Sequence, residues 1–394
     1  MSVEVALTGR LGNHLFQYAF ARIVAEHHGL RMRCVERPFV PLSFAGIPLD
    51  SAGSSSLSEL QQHFPNAPAS LPGRVIDEPA ITPRGPRGVQ NPDLGAILNS
   101  PPRHYSFTGI YQRYEYFAPY RSTLRQWFEP SGVSVRAEVQ PRDVLLNVRG
   151  GLDWVIFNRA LPHSYYETAL SGLTNVGRIF VCGVGIDDAF RRRFEKYHPI
   201  YFEGSAMEHF AFIQRFDRMI IAGSTFSWWA AFLSDASVIY APGTPPQIMD
   251  FDCPHFEIAL HFTEPRYRTV PVRNLMILEC FIPPAPGALS VVERADGRAS
   301  LRRSAGPGAP AETPVLDPSL TPFLRWLVRR KEPFSPLQMM DLLGPENSAT
   351  ERIGALVQIL MKGGMLTLRL DNIVEREIDE TIRDPLLPRA RSMA

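Results

Sequence analysis

The chain has 394 residues, of which 45% are hydrophobic, and its 41 Lys and Arg residues nearly balance 40 Asp and Glu residues. A chain of this length and composition is long enough to bury two or three cores, which excludes disorder of the whole chain. A formal net charge of +1 excludes a strong overall field that would draw the protein to nucleic acid or to a membrane. Any anion site must therefore be local.

The cysteine pattern and the hydropathy indicate a cellular compartment. Cys34, Cys182, Cys253 and Cys280 show neither paired nor metal-ligand spacing, which is typical of free thiols in a reducing environment. No signal peptide is visible, and the longest apolar stretch, 219–233, is interrupted by polar residues and too short to span a bilayer. We expect a cytoplasmic protein without a transmembrane segment, whose contact with the inner face of the membrane is at most peripheral.

A strand, a glycine turn and a helix open the chain. Apolar residues alternate over 3–7 and then recur at helical spacing from residue 15 onwards. Gly9, Gly12 and Asn13 lie between the two patterns. Glycine lets the backbone approach a ligand closely, and the N–H groups at a helix start attract anions. The turn is predicted to bind a phosphate, with an ordinary tight turn as the alternative, and its spacing does not match the dinucleotide fingerprint.

Strands and helices alternate in the middle of the chain. Strands are predicted at 144–148, 179–182 and 219–222, and helices at 165–170 and 187–196. This alternation predicts an α/β fold with parallel sheets. The chain has room for two such lobes, and the cleft between them is the expected place for a ligand.

Two further turns follow the same design as the first. Arg149 ends a buried strand beside two glycines, where a guanidinium can bind phosphate through two N–H groups; a surface ion pair is the alternative. Ser224, Thr225 and Ser227 lie at a predicted helix start, where they either hold a phosphate or cap the helix. Gly183 follows another strand, and backbone contacts there to a nucleotide base compete with simple capping by the aspartates at 187 and 188.

Metal chemistry has little support in the sequence. Asp250 and Asp252 form an Asp-x-Asp pair, a pattern that holds a divalent cation in many nucleotide-sugar enzymes but also arises often by chance. No zinc signature and no nucleophilic triad is visible. We therefore expect no cofactor and no metal, with catalysis by positioning and charge stabilisation.

The C-terminal part differs in composition. Residues 283–318 are rich in Pro, Ala and Gly and are predicted to be a flexible linker. Residues 319–394 contain three helical patterns and a strand-like stretch, which predicts a winged-helix-like domain. Basic residues over 325–331 raise the alternative of nucleic-acid binding, but nearby acidic residues offset them. A protein partner or a homodimer is therefore the expected use of this domain.

Four segments, taken in order, resemble the bacterial α-1,2-fucosyltransferase family and, more distantly, the wider fucosyltransferase superfamily. Residues 9–19, GRLGNHLFQYA, are similar to the family's GGLGNQLFQYA, and 109–112, GIYQ, to its GYFQ. Residues 147–152, NVRGGL, stand where the family has HVRRGD, and 224–231 read STFSWWAA as in the family. The resemblance covers residues 5 to 245 and leaves the C-terminal domain outside it.

The resemblance implies a GT-B fold, with an acceptor-side Rossmann-like lobe at 1–140 and a nucleotide-sugar-binding lobe at 141–282. It implies inverting, metal-independent transfer of fucose from GDP-fucose to a hydroxyl of a glycan or glycosylated metabolite. Arg149 would stabilise the departing GDP, and Asn13 would lie near the diphosphate and the sugar. The donor would be bound by Gly9, Arg10, Gly12, Asn147, Gly183, Ser224, Thr225, Phe226 and Ser227.

The departures from the family concern the motif around Arg149. The family's His becomes Asn147, its second Arg becomes Gly150 and its Asp becomes Leu152, with Asp153 next in the chain. Fewer cations near a diphosphate weaken charge stabilisation, so a donor with another deoxysugar is one alternative. A weakly active relative whose C-terminal domain binds a protein or nucleic acid is the other.

Two side chains next to these motifs raise separate questions. His14 replaces the family's Gln in the first segment. Asp153 is the candidate general base for the acceptor hydroxyl, with His163 and Glu167 as competitors.

Overall fold

The computed structural model describes residues 2–36, 43–44, 47–48, 56–84, 92–150, 161–186, 188–243, 260, 263–270, 281–283, 285, 287–304, 311–332, 334, 339, 342–343, 356–357, 359–361 and 363–368.

The first sheet is built from the N-terminal residues. The strands of this part are β1 (Val3–Leu7), β2 (Met32–Glu36), β3 (Ser43–Phe44), β4 (Ile47–Pro48), β5 (Ser70–Leu71) and β6 (Tyr105–Phe107). Four of them form a sheet in the order β5-β2-β1-β6, in which β1 pairs in parallel with both β2 and β6. The helices are α1 (Leu11–His28), α2 (Leu57–His63), α3 (Leu94–Asn99), α4 (Tyr114–Phe117) and α5 (Arg121–Trp127). The central strand β1 leads directly into α1, so the first turn lies at the carboxyl edge of the sheet.

The second sheet is larger. Its strands are β7 (Val144–Arg149), β8 (Ile179–Val184), β9 (Ile200–Tyr201), β10 (Arg218–Ile220), β11 (Val238–Pro242) and β12 (Tyr267–Val270). They pair in parallel in the order β12-β11-β10-β7-β8-β9. The connecting helices are α6 (His163–Ser171), α7 (Asp188–Phe194), α8 (Ala206–Ile213) and α9 (Thr225–Leu233). The predicted parallel α/β construction is confirmed.

The two sheets share one hydrophobic core. Phe16 of α1 packs between the two indoles of α9, with ring centroids 4.9 Å from Trp228 and 4.8 Å from Trp229. The cluster around them includes Leu145 and Phe180 from the second sheet as well as the strands of the first. Helices α1 and α9 are therefore packed directly against each other, and their starts come close together.

A separate core lies in the C-terminal part. Its elements are β13 (Phe281–Ile282), β14 (Leu289–Glu293), β15 (Ala299–Arg303), β16 (Ala311–Glu312), α10 (Thr321–Arg329) and β17 (Thr367–Leu368). Strands β14, β15 and β16 form an antiparallel sheet, and β13 pairs with β17. Leu289, Leu301 and Phe323 belong to one buried cluster with residues from the last described helical turns. This core contains no residue of the cluster between α1 and α9.

The stretch predicted to be a flexible linker, 283–318, therefore differs from that expectation, because it contains β14, β15 and β16. Ser290 separates Leu289 from Val291, and Ser300 separates Ala299 from Leu301, which gives each strand a short apolar–polar alternation. The Pro, Ala and Gly residues around them obscured this two-residue period. Among the described residues, no helix combines the length and apolarity needed to cross a bilayer.

Candidate functional site

The turn between β1 and α1 is shaped by Gly9 and Asn13. Gly9 has φ +87°, and a Cβ placed on it would lie 2.5 Å from Asn13 Nδ2. Helix α1 begins after Arg10, which is half-buried and makes no side-chain cap hydrogen bond. The start of a helix presents N–H groups and a partial positive charge. This turn therefore has the geometry of an anion-binding turn.

Gln17 holds the backbone of this turn from inside. Its Oε1 accepts from the Thr8 N–H at 2.9 Å, and its Nε2 donates to Thr8 Oγ1 at 3.0 Å and to the Gly109 carbonyl at 3.3 Å. Gln17 is fully buried. The first segment and the segment that begins at Gly109 are thus joined by hydrogen bonds through one side chain.

Gln112 contacts the side chain of Asn13, which lies in the same turn. Its Nε2 donates to Asn13 Oδ1 at 3.1 Å, although the two residues lie 99 positions apart. Gln112 is 3% exposed, and its Oε1 has no hydrogen-bond partner within the described residues. In the sequence, Gln112 stands out only as part of a motif, and no role was predicted for it.

At the start of α9, the serine side chains are hydrogen-bonded within the protein. Ser224 Oγ accepts from the Ser227 N–H at 3.1 Å and lies 2.7 Å from Ser227 Oγ. Ser227 Oγ in turn donates to Asn147 Oδ1 at 2.5 Å. Ser224 is therefore a helix cap, which was the alternative to a phosphate ligand, and Ser227 and Asn147 join α9 to β7. These two serine hydroxyls are therefore used within the protein.

The starts of α1 and α9 are in contact. A Cβ on Gly12 would lie 2.5 Å from Thr225 Oγ1 and 2.7 Å from the backbone nitrogen of Phe226. Only glycine allows this approach. Phe226 is half-buried and packs its ring on Phe210, with centroids 5.3 Å apart, so packing accounts for this side chain.

Arg149 ends β7 on the side of α9. Side chains alternate along a strand, so Arg149 projects from the same face as Asn147, whose side chain contacts Ser227. Arg149 is half-buried. Its position at the carboxyl end of a central parallel strand is where ligands bind in open α/β sheets.

The glycines around Arg149 are tightly packed. The Gly150 N–H donates to the Val184 carbonyl at 2.6 Å, and a Cβ on Gly150 would lie 2.6 Å from the Gly185 carbonyl oxygen. Gly183 has φ +137°, and a Cβ there would lie 1.8 Å from the Val148 carbonyl oxygen. The position of the family's second arginine therefore has no room for a side chain in this protein.

His14 lies beside Asn13 and is almost completely buried. It is 1% exposed, and neither ring nitrogen has a hydrogen-bond partner within the described ranges. Burial lowers the pKa of His14 to about 4, against an opposing effect of the charge on Glu36. His14 is therefore neutral near pH 7 and does not replace the missing arginine charge.

The remaining predicted residues either lie outside the described residues or are bound elsewhere. Asp153, the candidate general base, lies outside the described residues, as do Asp187, Asp250 and Asp252. Glu167 is bound on the surface by Arg193 and Lys196, at 2.6 Å and 2.9 Å. Partial burial raises the pKa of Glu167, but these two hydrogen-bonded cations lower it overall.

The structure also places His163, the other competitor for the role of general base. The ring of His163 packs against Phe190 and Phe194, with centroids 5.3 Å and 6.4 Å away. Within the part of the chain that the structure describes, no three His, Cys, Asp or Glu side chains come together as metal ligands.

Two arginines that the sequence did not single out hold the far end of α9. Arg121 Nε and Arg266 Nη2 donate to the Phe232 carbonyl at 2.6 Å and 3.0 Å. Both guanidinium groups also donate to the Ser234 carbonyl. Cations at a helix C-terminus are favourable because the last carbonyls carry partial negative charge. Arg121 and Arg266 thereby fix the position of α9, including its N-terminal end at the candidate site.

Comparisons with known proteins give a weak structural likeness. No protein-family model matches the sequence, and no curated protein is significantly similar to it. The selenomethionine form of the fucosyltransferase NodZ from Bradyrhizobium is similar in structure, with 14% identity, a TM-score of 0.31, and coverage of 62% of this chain and 95% of that chain. NodZ α-1,6-fucosyltransferase soaked with GDP-fucose gives 14% identity, a TM-score of 0.29, and coverage of 61% and 94%. Values this low leave the function to be argued from the side chains of the site.

Proposed function

We propose that the chain is a glycosyltransferase that binds a nucleoside diphosphate sugar where α1, α9 and the end of β7 meet. One observation carries the proposal, the convergence of four segments far apart in sequence. The contacts that join them are Gln112 with Asn13, Gly12 with Thr225, and Ser227 with Asn147. These are also the segments that resemble the fucosyltransferase motifs, so GDP-fucose is the proposed donor.

The electrostatics of the junction suit a diphosphate. Each helix start contributes the equivalent of about half a positive charge. Arg149 and Arg10 add two guanidinium groups at the carboxyl edges of the two sheets. Positive groups fixed in advance stabilise charge that develops on a leaving group, because they need no reorganisation during the reaction.

The proposed reaction is a single displacement. An acceptor hydroxyl attacks the anomeric carbon as the bond to the diphosphate breaks, and the configuration inverts. The hydroxyl proton passes to a general base, for which Asp153 is the proposed residue. The two sheets would be the two lobes of a GT-B fold, and the fixed cations would replace a divalent metal ion.

Isothermal titration with GDP tests this function. The wild type should bind GDP, and Arg149→Ala should weaken binding and lower kcat by about 10²- to 10³-fold, as loss of a transition-state charge donor does elsewhere. Arg136→Ala removes an exposed arginine between α5 and β7 and is the matched control. Activity should persist in EDTA. Absence of GDP binding, or undiminished binding by Arg149→Ala, would contradict the proposal.

A second donor remains a competing proposal because of Gly150. The Gly185 carbonyl oxygen lies so close that Gly150 cannot carry the second arginine of the family motif. A site with one cation fewer fits a nucleotide linked to another deoxysugar equally well. Donor screening with product masses separates the two, since transfer of fucose and of another deoxysugar gives different mass increments.

For the C-terminal core we propose a winged-helix-like domain that contacts a protein or a second copy of the chain. Two of its arginines are paired with acidic side chains: Arg325 with Glu293 at 2.7 Å and Arg302 with Glu312 at 3.0 Å. Such pairing leaves less free positive charge for nucleic acid. Binding of nucleic acid by the full chain, weakening steeply as salt is raised, would reverse this preference.

A further inference from the structure

The side-chain amide of Asn13 is held in one orientation. Gln112 donates from Nε2 to Asn13 Oδ1, so the carbonyl oxygen of Asn13 is occupied. Asn13 Nδ2 lies beside Gly9 and has no hydrogen-bond partner among the described residues. An amide group has one accepting and one donating end. With the accepting end taken by Gln112, the donating end faces the turn.

Gln112 is poorly satisfied where it lies. It makes one side-chain hydrogen bond within the described residues, and its buried Oε1 makes none. Gln17, which lies in α1, contacts the same turn and is also buried, makes three. A buried polar atom without a partner destabilises the folded state. Gln17 therefore has the pattern of a structural residue, whereas Gln112 does not.

The backbone before Gln112 is held in an unfavourable conformation. Tyr111 has φ +52°, its hydroxyl accepts from the Gly109 N–H at 2.9 Å, and its ring stacks on Phe20 with centroids 4.2 Å apart. A residue other than glycine in this conformation costs energy and persists only where its surroundings enforce it. Here the surroundings direct the next side chain, Gln112, onto Asn13.

We propose that Gln112 is a positioning residue that orients Asn13 Nδ2 as a hydrogen-bond donor to a phosphate oxygen of the nucleoside diphosphate. This inference rests on the proposed function. A phosphate oxygen only accepts hydrogen bonds, so the amide must present nitrogen rather than oxygen. Gln112 ensures that orientation without contacting the ligand.

Gln112→Met is the first variant, with GDP affinity by titration and Tm as the two readouts. We expect affinity to fall by about 10- to 100-fold, the size of one hydrogen bond to a charged group, while Tm stays within a few degrees of the wild type. Gln214→Met is the matched control, because Gln214 also carries a buried amide nitrogen without a partner in the described part of the chain but lies at the end of α8. Its GDP affinity should not change.

The double variant shows whether Gln112 acts through Asn13. Asn13→Ala alone should weaken GDP binding, and Asn13→Ala with Gln112→Met should be no weaker than Asn13→Ala alone. Losses that multiply would overturn the inference, as would wild-type affinity in Gln112→Met.

Gln112→Glu is an independent variant that replaces the hydrogen-bond donor to Asn13 with an acceptor. A carboxylate accepts hydrogen bonds, so it turns the Asn13 amide around and presents Oδ1 to the ligand. Its GDP affinity should fall at least as far as that of Asn13→Ala, and wild-type affinity would overturn the inference. If the wild-type protein itself fails to bind GDP, the proposed function is wrong and this inference is overturned with it.

Discussion

The starts of α1 and α9 are in contact, but they differ in whether their polar side chains are hydrogen-bonded within the protein. At α9, Ser224 caps the helix and Ser227 donates to Asn147, so the hydroxyls are bonded within the protein. At α1, the N-cap residue Arg10 makes no side-chain cap hydrogen bond, and Asn13 Nδ2 has no partner in the described residues. The two serine hydroxyls at the start of α9 are thus used within the protein, whereas the Asn13 amide at the start of α1 keeps unused hydrogen-bonding capacity.

Unused capacity in a buried place is unusual in folded proteins. Around the start of α1 it includes both ring nitrogens of His14 and the Oε1 of Gln112, none of which finds a partner within the described residues, whereas α9 contributes the indole Nε1 of Trp229. Arg121 and Arg266 meanwhile hold the far end of α9. We therefore expect α9 to be a fixed support and the Asn13 turn of α1 to present the groups that bind the proposed ligand.

The largest expected effect concerns His14 and pH. In the folded protein burial lowers its pKa to about 4, whereas the ordinary value is 6.5. The unfolded chain therefore binds a proton before the folded protein does, and the free energy of unfolding falls as pH drops from about 6.5 to about 4. The loss attributable to His14 should reach about 3 kcal/mol. Urea unfolding at a series of pH values measures it.

His14→Gln provides the reference, because glutamine is neutral throughout this range. The wild type should lose about 3 kcal/mol more than the variant between neutral pH and about pH 4. Parallel profiles would mean that His14 has a polar partner that stabilises its charged form. The start of α1 would then resemble that of α9, and the comparison would fail.

A smaller effect is expected where the two helix starts meet, at Gly12. Gly12→Ala places a Cβ 2.5 Å from Thr225 Oγ1 and 2.7 Å from a backbone nitrogen. Overpacking of this kind costs about 1–3 kcal/mol, and it should also weaken GDP binding because the helix starts must separate. Chemical denaturation and titration measure the two losses.

Gly95 offers a control in an equivalent position, since both glycines are the second residue of a helix. A Cβ on Gly95 would meet only Asp93 Oδ1, at 3.2 Å. Gly95→Ala should change the free energy of unfolding by less than about 1 kcal/mol, because only one side-chain oxygen must shift by a few tenths of an ångström. An equally small change at Gly12 would show that the helix starts are not in tight contact.

The sequence predicted the elements of the site better than their contacts. The turn at Gly9 and Asn13 and the strand before Arg149 follow from local periodicity, and the structure has both. The bond between Gln112 and Asn13 spans 99 positions and depends on how the sheet brings β6 beside β1. No local pattern contains that information.

Steric limits and composition explain the other features of the structure that the sequence did not predict. The replacement of an arginine by Gly150 was visible as a lost charge, but the close carbonyl of Gly185 that forbids a side chain was not. The strands at 289–293 and 299–303 were missed because their surroundings are rich in Pro, Ala and Gly. Amphipathic alternation over five residues is a weak signal beside such composition.

The smallest effect separates the two helix starts most directly. Ser227→Ala removes the donor to Asn147 Oδ1 and leaves that buried oxygen without its hydroxyl partner. We expect a loss of about 1 kcal/mol in the free energy of unfolding, with little change in GDP affinity, because the hydroxyl is used within the protein. Gln112→Met should show the reverse, with affinity reduced and stability kept. Equal effects of Ser227→Ala and Gln112→Met on stability and on GDP affinity would contradict this difference between the helix starts. Loss of a hydrogen bond used within the protein should lower stability, whereas loss of one that orients a ligand-binding group should lower affinity.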